Sequence, residues 1–135
     1  MNNKNFLLVI SKFPPEYSGP GVRIPRLYKY FQEKGCNFDL KILCNGVEKT
    51  RNETYLYEGW TVRRITAEYL GSLFLALGFM PKRLTHGLVY QYEFIKTFLI
   101  LCFSKSYKEI DFLHVAGHSG GTAAALLWSN IKKIP

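Results

Sequence analysis

Two glycine-bearing turns and three histidines hold most of the chemistry open to this chain. The first turn is Phe13-Pro14-Pro15-Glu16-Tyr17-Ser18-Gly19-Pro20-Gly21, directly after the apolar run Phe6–Ile10. Glycines there let a backbone approach a phosphate, and a following helix supplies N–H donors and the positive end of its dipole. The spacing is not G-x-G-x-x-G, because Ile24 occupies the third glycine position, and no Walker lysine is present. The segment reads either as a phosphate or sugar loop built on Ser18, Gly19 and Gly21, flanked by Arg23 and Arg26, or as an ordinary connecting turn.

The second turn, Gly117-His118-Ser119-Gly120-Gly121, fits G-x-S-x-G between a strand and a small-residue helix. An α/β-hydrolase would use Ser119 as nucleophile and place its acid and histidine later in the chain. The 14 residues after Gly121 contain no Asp, Glu or His, so that order cannot be completed here. The alternative is a tight strand–helix turn capped by Ser119. His86, His114 and His118 lack metal-ligand spacing. His114 lies in a strand and reads as a packed residue, whereas His118 sits at a strand's carboxyl end, where ligands bind.

The elements that must position these turns follow from periodicity. Phe6–Ile10 reads as a strand buried on both faces. Ile24, Leu27, Tyr28 and Phe31 form one apolar helical stripe that stops at Lys34-Gly35. Phe38–Cys44 alternates as a strand does, and residues 55–65 read as two short strands around Glu58-Gly59. Leu84–Ser104 is expected to be helical, Asp111–Ala116 a strand, and Ala124, Leu127, Trp128 and Ile131 a final helical stripe. Strands alternating with helices predict an α/β, Rossmann-like, doubly wound and mostly parallel sheet. Phe6–Ile10 is expected at its centre, between Phe38–Cys44 and Asp111–Ala116. The chain stops at Ile134-Pro135, where a further strand is expected, and so reads as an incomplete domain.

Composition narrows the classes further. The 135 residues are one domain's worth, 47% hydrophobic and 21% charged, which excludes a disordered tail, a collagen-like fibre and a coiled coil. A net charge of +8 favours anionic partners, but the basic residues are scattered and form no long run, and nucleic acid is not expected. Three widely spaced cysteines suggest neither a disulfide framework nor a zinc site. With no signal peptide and no apolar stretch of membrane-spanning length, a reduced, cytoplasmic setting is expected. Leu70–Met80, beside Lys82 and Arg83, reads either as core or as a peripheral contact with the inner face of a membrane.

The loop Phe13–Gly21, a helix ending at Lys34-Gly35, and a strand resemble the opening of family 4 glycosyltransferases, whose N-termini read strand, P-P-x-x-G-G, helix, strand. Gly59-Trp60-Thr61-Val62-Arg63-Arg64-Ile65 is similar to that family's G-x-x-V-x-R strand. Ile110–Ser119 is similar to its D-x-x-H-x-H-G strand and turn. Pro20 separates glycines that the family often keeps adjacent, and Ala116 stands where a second histidine is common. The likeness spans residues 6 to 135 and implies the N-terminal portion of a GT-B fold, with residues 1–135 as the acceptor-side domain and the donor-binding domain absent. It implies a retaining transfer of sugar from a nucleotide-diphosphate sugar to a saccharide or lipid-linked acceptor, with no further cofactor and no metal. Ser18, Gly19 and Gly21 would lie near the donor diphosphate. Arg23, His114 and Ser119 would lie on the acceptor and sugar side, and His118 is the catalytic candidate. The alternatives are a non-catalytic binding module and a truncated hydrolase using Ser119.

Overall fold

The computed structural model describes residues 4–16, 18–46, 52–66 and 81–135. Their order is β1 (Lys4–Ile10), α1 (Gly19–Glu33), β2 (Phe38–Asn45), β3 (Glu53–Tyr57), β4 (Trp60–Ile65), α2 (Lys82–Phe103), β5 (Phe112–Ala116) and α3 (Gly120–Lys132). The strands form one sheet in the order β3-β4-β2-β1-β5. β1 is parallel to β2 and β5, and β2 is parallel to β4; β3 alone is antiparallel, paired with β4. The chain is therefore α/β with a mostly parallel sheet, and Phe6–Ile10 lies between its two expected neighbours. Glu58 and Gly59 both have positive φ (50° and 89°), the backbone hand that a tight two-residue hairpin needs.

The apolar run of β1 is explained by burial on both faces. Leu7 and Val9 pack with Leu101, Tyr107 and Trp128 on the α2–α3 side. Leu8 and Ile10 pack with Phe13, Tyr28, Ile42 and Trp60 on the α1 side. All four are at most 1% exposed, so neither face of this strand can carry a polar residue without loss.

Two helices differ in detail from the expected stripes. Helix α1 begins at Gly19, earlier than expected, because Ser18 caps it and proline is tolerated in the first turn. It also accommodates Pro25 in its interior. Its buried residues are Gly21, Pro25 and Tyr28, while Leu27 and Phe31 of the expected stripe stay partly exposed. They border a groove with Phe6 and Phe38 rather than entering the core. In α3 the core side is Ala124, Ala125 and Trp128, and Leu127 and Ile131 face outward. Small residues win the buried face there because α3 is pressed against α2. Leu70–Met80 lies outside the described residues, and no helix among them is long and apolar enough to cross a membrane.

One buried charge ties the first loop to the sheet. Arg64 of β4, 3% exposed, ion-pairs with Glu53 and lies 3.8 Å from Glu16. Its Nη2 donates to the Pro14 carbonyl at 3.1 Å and to the Tyr55 hydroxyl at 3.0 Å, and Tyr55 itself donates to Pro14. Beside this cluster the Cys44 thiol is pushed up to about 12 by burial, which makes it an inert packing group. Replacing Arg64 by Met removes the cation that Glu53, Glu16, the Tyr55 hydroxyl and the Pro14 carbonyl share. Breaking such a pair costs ~3–5 kcal/mol, and half-exposed Glu53 points to the lower end of that range. Chemical denaturation of Arg64→Met is therefore expected to show a loss of about 3 kcal/mol. A loss below about 0.5 kcal/mol would mean that the cluster does not hold the loop.

Candidate functional site

The two turns singled out in the sequence meet at the carboxyl ends of β1 and β5. The Ser11 amide donates to the Ala116 carbonyl at 3.1 Å, which joins the first residue after β1 to the last of β5. Gly117 has φ +91°, and a Cβ there would fall 2.9 Å from Ser11 Cβ, so only glycine fits this crossing. On the other side of the same short segment, a Cβ on Gly21 would lie 2.8 Å from the Lys12 carbonyl oxygen. Ser11-Lys12 is thus the shared ridge between the two turns.

The first turn spends most of its donors on itself. Ser18 Oγ accepts the Gly21 amide at 2.9 Å and donates to the Lys12 carbonyl at 3.3 Å. Pro20 has no N–H to give. Gly21 is needed to close the loop on its own backbone, whereas Gly19 is exposed. Arg23, also exposed, folds back so that its Nε donates to the Gly19 carbonyl at 3.4 Å. A ligand phosphate at this helix start would therefore be met by Gly19 and the guanidinium rather than by a nest of amides.

The second turn is packed far more tightly. Ser119 is the N-cap of α3: its Oγ accepts the Thr122 amide at 3.1 Å, and Thr122 Oγ1 accepts the Ser119 amide at 2.9 Å. The Ser119 hydroxyl donates to Asn45 Oδ1 at 2.8 Å. A Cβ on Gly120 would reach 2.7 Å from the Phe94 backbone nitrogen, and one on Gly121 would reach 2.9 Å from Asn45 Nδ2. The Gly120 amide donates to Glu93 Oε2 at 3.2 Å, so an internal carboxylate already occupies this helix N-terminus. Ser119 has a structural role here: it is 8% exposed, and its hydroxyl is held by Asn45 and not by a histidine.

Between the turns and α2 lies a pocket of about 330 Å³. Lys12, Asn45, Glu93, His118 and Ser119 supply polar groups, with Val89 and Tyr90 from α2 as the apolar wall. Its size is at the small end of the roughly 300–1,000 Å³ usual for ligand sites. His118 is exposed, and His86 joins it from α2. His114 lies elsewhere: its Nδ1 is 2.9 Å from the Tyr28 hydroxyl, in an apolar groove under α1, and burial lowers its pKa. Of the residues proposed from sequence, His118 and Ser119 line the pocket. Ser18 and Gly21 lie against Lys12, which lines it, whereas Gly19, Arg23 and His114 are not part of its lining. No group of three or more possible metal ligands occurs among the described residues.

Asn45 and Glu93 were not foreseen. Asn45 reads in sequence as the start of an Asn-Gly turn, and only the sheet brings it beneath Ser119. Glu93 did leave a signal, as the one acid between Lys82 and Phe103.

Burial raises the Glu93 pKa above its ordinary 4.5, against a smaller lowering by the Gly120 amide. The folded state therefore holds this proton more tightly than the unfolded chain does. Its contribution is most favourable below about 4.5 and declines as pH rises through the raised folded value. Glu93→Gln keeps an oxygen for Gly120 and removes the titration. Melting curves are expected to show the Gln variant gaining on the parent as pH rises above about 4.5. A difference that stays constant over that rise would contradict the buried-carboxyl account.

Comparison of the chain with protein-family models, with curated proteins and with solved structures finds no match, so the site has to be read from its own chemistry.

Proposed function

We propose that the chain is the acceptor-side, N-terminal portion of a retaining GT-B glycosyltransferase resembling family 4, with the α/β sheet as its Rossmann-like, doubly wound core. The observation that carries this reading is the common rim: the Ser18–Gly21 loop and the His118–Ser119 turn flank one ridge, Ser11-Lys12, at the carboxyl ends of adjacent strands. The two sides differ in charge. Arg23 and Arg26 accompany the α1 start and suit a donor diphosphate. Glu93 sits at the α3 start, where a phosphate at about 4 Å would meet repulsion of roughly 4 kcal/mol at an effective dielectric of about 20. The diphosphate therefore belongs to the first turn and the sugar or acceptor to the second.

In retaining transfer the departing diphosphate gathers negative charge as the glycosidic bond breaks. Donors aimed at it lower the barrier, and a single such hydrogen bond is worth roughly a hundredfold in rate. The Gly19 amide and the Arg23 guanidinium would serve the diphosphate, and His118 would orient the acceptor hydroxyl. The net charge of +8 suits an anionic donor, and a cytoplasmic chain that touches the inner membrane face through a lipid-linked acceptor is consistent with it.

Titrating the isotopically labelled chain with a nucleotide-diphosphate glucose tests this. Saturable NMR shifts are expected at Gly19 and Arg23 together with His118. Shifts absent from both turns, or confined to the Tyr28–His114 groove, would overturn the reading. A fluorophosphonate probe separates it from the hydrolase alternative: Ser119 is expected to stay unlabelled, and stoichiometric labelling would make it a nucleophile.

A further inference from the structure

The floor of the rim pocket has a donor without a partner. Asn45 is 4% exposed and its Oδ1 is taken by the Ser119 hydroxyl, but its buried Nδ2 makes no hydrogen bond among the described residues. The Ser119 hydroxyl, which accepts the Thr122 amide, spends its own hydrogen on Asn45 Oδ1, and Nδ2 is the unspent end of the amide. A buried amide donor left unmade is costly, and most such groups in native proteins find a partner.

Glu93 supplies the complementary group on the same wall. It is 9% exposed, and one of its oxygens takes the Gly120 amide. A carboxylate is an acceptor with more than one lone-pair site, so it can receive a second hydrogen. Asn45 and Glu93 both line the pocket, with Tyr90 of α2, 44% exposed, beside them. A donor and an acceptor in the lining of one pocket match a hydroxyl, which accepts from one and donates to the other. Inorganic phosphate or a carboxylate could accept from Asn45 but would face Glu93 as a like charge.

We propose that Asn45 and Glu93 form a hydroxyl-recognition subsite that takes a single ring-sized neutral polyol and rejects phosphorylated forms at the same place. Tyr90 gives the apolar surface on which such a ring lies. The proposal needs the pocket to be a ligand site but not that the chain transfers sugar, and the test separates the two.

The probes are myo-inositol and methyl glucoside as neutral polyols, with glucose 6-phosphate and inorganic phosphate as charged ones. The readout is the Asn45 side-chain amide and the Gly120 backbone amide in NMR titrations of the labelled chain. At least one neutral polyol is expected to move both signals saturably, and the charged probes at least tenfold more weakly. Asn45→Asp keeps an oxygen for Ser119 but lacks the donor, and is expected to weaken polyol binding at least tenfold. Glu93→Gln keeps an oxygen for Gly120 and turns the other end into a donor; it is expected to weaken polyol binding and admit phosphate. The unmutated chain keeps the test decisive if a variant fails to fold. Absence of a saturable shift with both neutral polyols, or tighter binding of phosphate, overturns the subsite. Polyol shifts at Asn45 without any response of Gly19 or Arg23 to a nucleotide-diphosphate sugar support it while defeating the transferase reading.

Discussion

The site depends on how closely the first turn of α3 approaches its neighbours. At Gly120 the α3 backbone lies so near the α2 backbone that a methyl group has no room, and at Gly121 the obstacle is Asn45. That contact places the Gly120 amide on Glu93 and the Ser119 hydroxyl on Asn45, and so brings α2, β2 and α3 to one point. The usual anion-binding property of a helix start is given up in the process, because a carboxylate of the chain itself fills it. What is left is a polar floor of Asn45, Glu93 and Ser119 beneath the rim.

The opposite side of the rim is secured by a different force. Arg64 reaches from β4 to the Pro14 carbonyl with Glu53 and Glu16 around it, so the loop before α1 is tied to the sheet by a largely buried cation. Such clusters add little net stability compared with an apolar replacement, yet losing one member strands the others. Their use here is positional. They fix the loop so that Ser18 can cap α1 and Gly21 can close on Lys12. One turn is therefore set by sterics between glycines and backbone, and the other by electrostatics.

The sheet was legible because β1 is apolar enough to declare burial, because β2 alternates, and because Glu58-Gly59 marks a hairpin. The faces of α1 and α3 were less so. Periodicity shows that Leu27, Phe31, Leu127 and Ile131 share a stripe with core residues, but not where a neighbouring element ends; each is partly exposed in the fold. His114 reads from its strand as a packed residue and is one, but its partner, Tyr28, lies 86 positions away in sequence and left no spacing signal. Asn45 and Ser119 are 74 positions apart, and Glu93 and Gly120 are 27 apart. Side chains that meet through tertiary contacts leave no spacing signal, so the turns could be named from sequence while the floor between them could not.

On the proposed reading, the two sides divide one rim into a cationic half near Arg23 and a hydroxyl-binding half over Glu93 and Asn45. A nucleotide-diphosphate sugar would have to lie across the Ser11-Lys12 ridge to satisfy both. The most direct measurement is a crystal structure of the chain grown with such a ligand. Sugar-ring density over Asn45 and Glu93, with the diphosphate toward Gly19 and Arg23, is the predicted result. A ligand seated in the Tyr28–His114 groove, or bound with its phosphates against Glu93, would contradict the account.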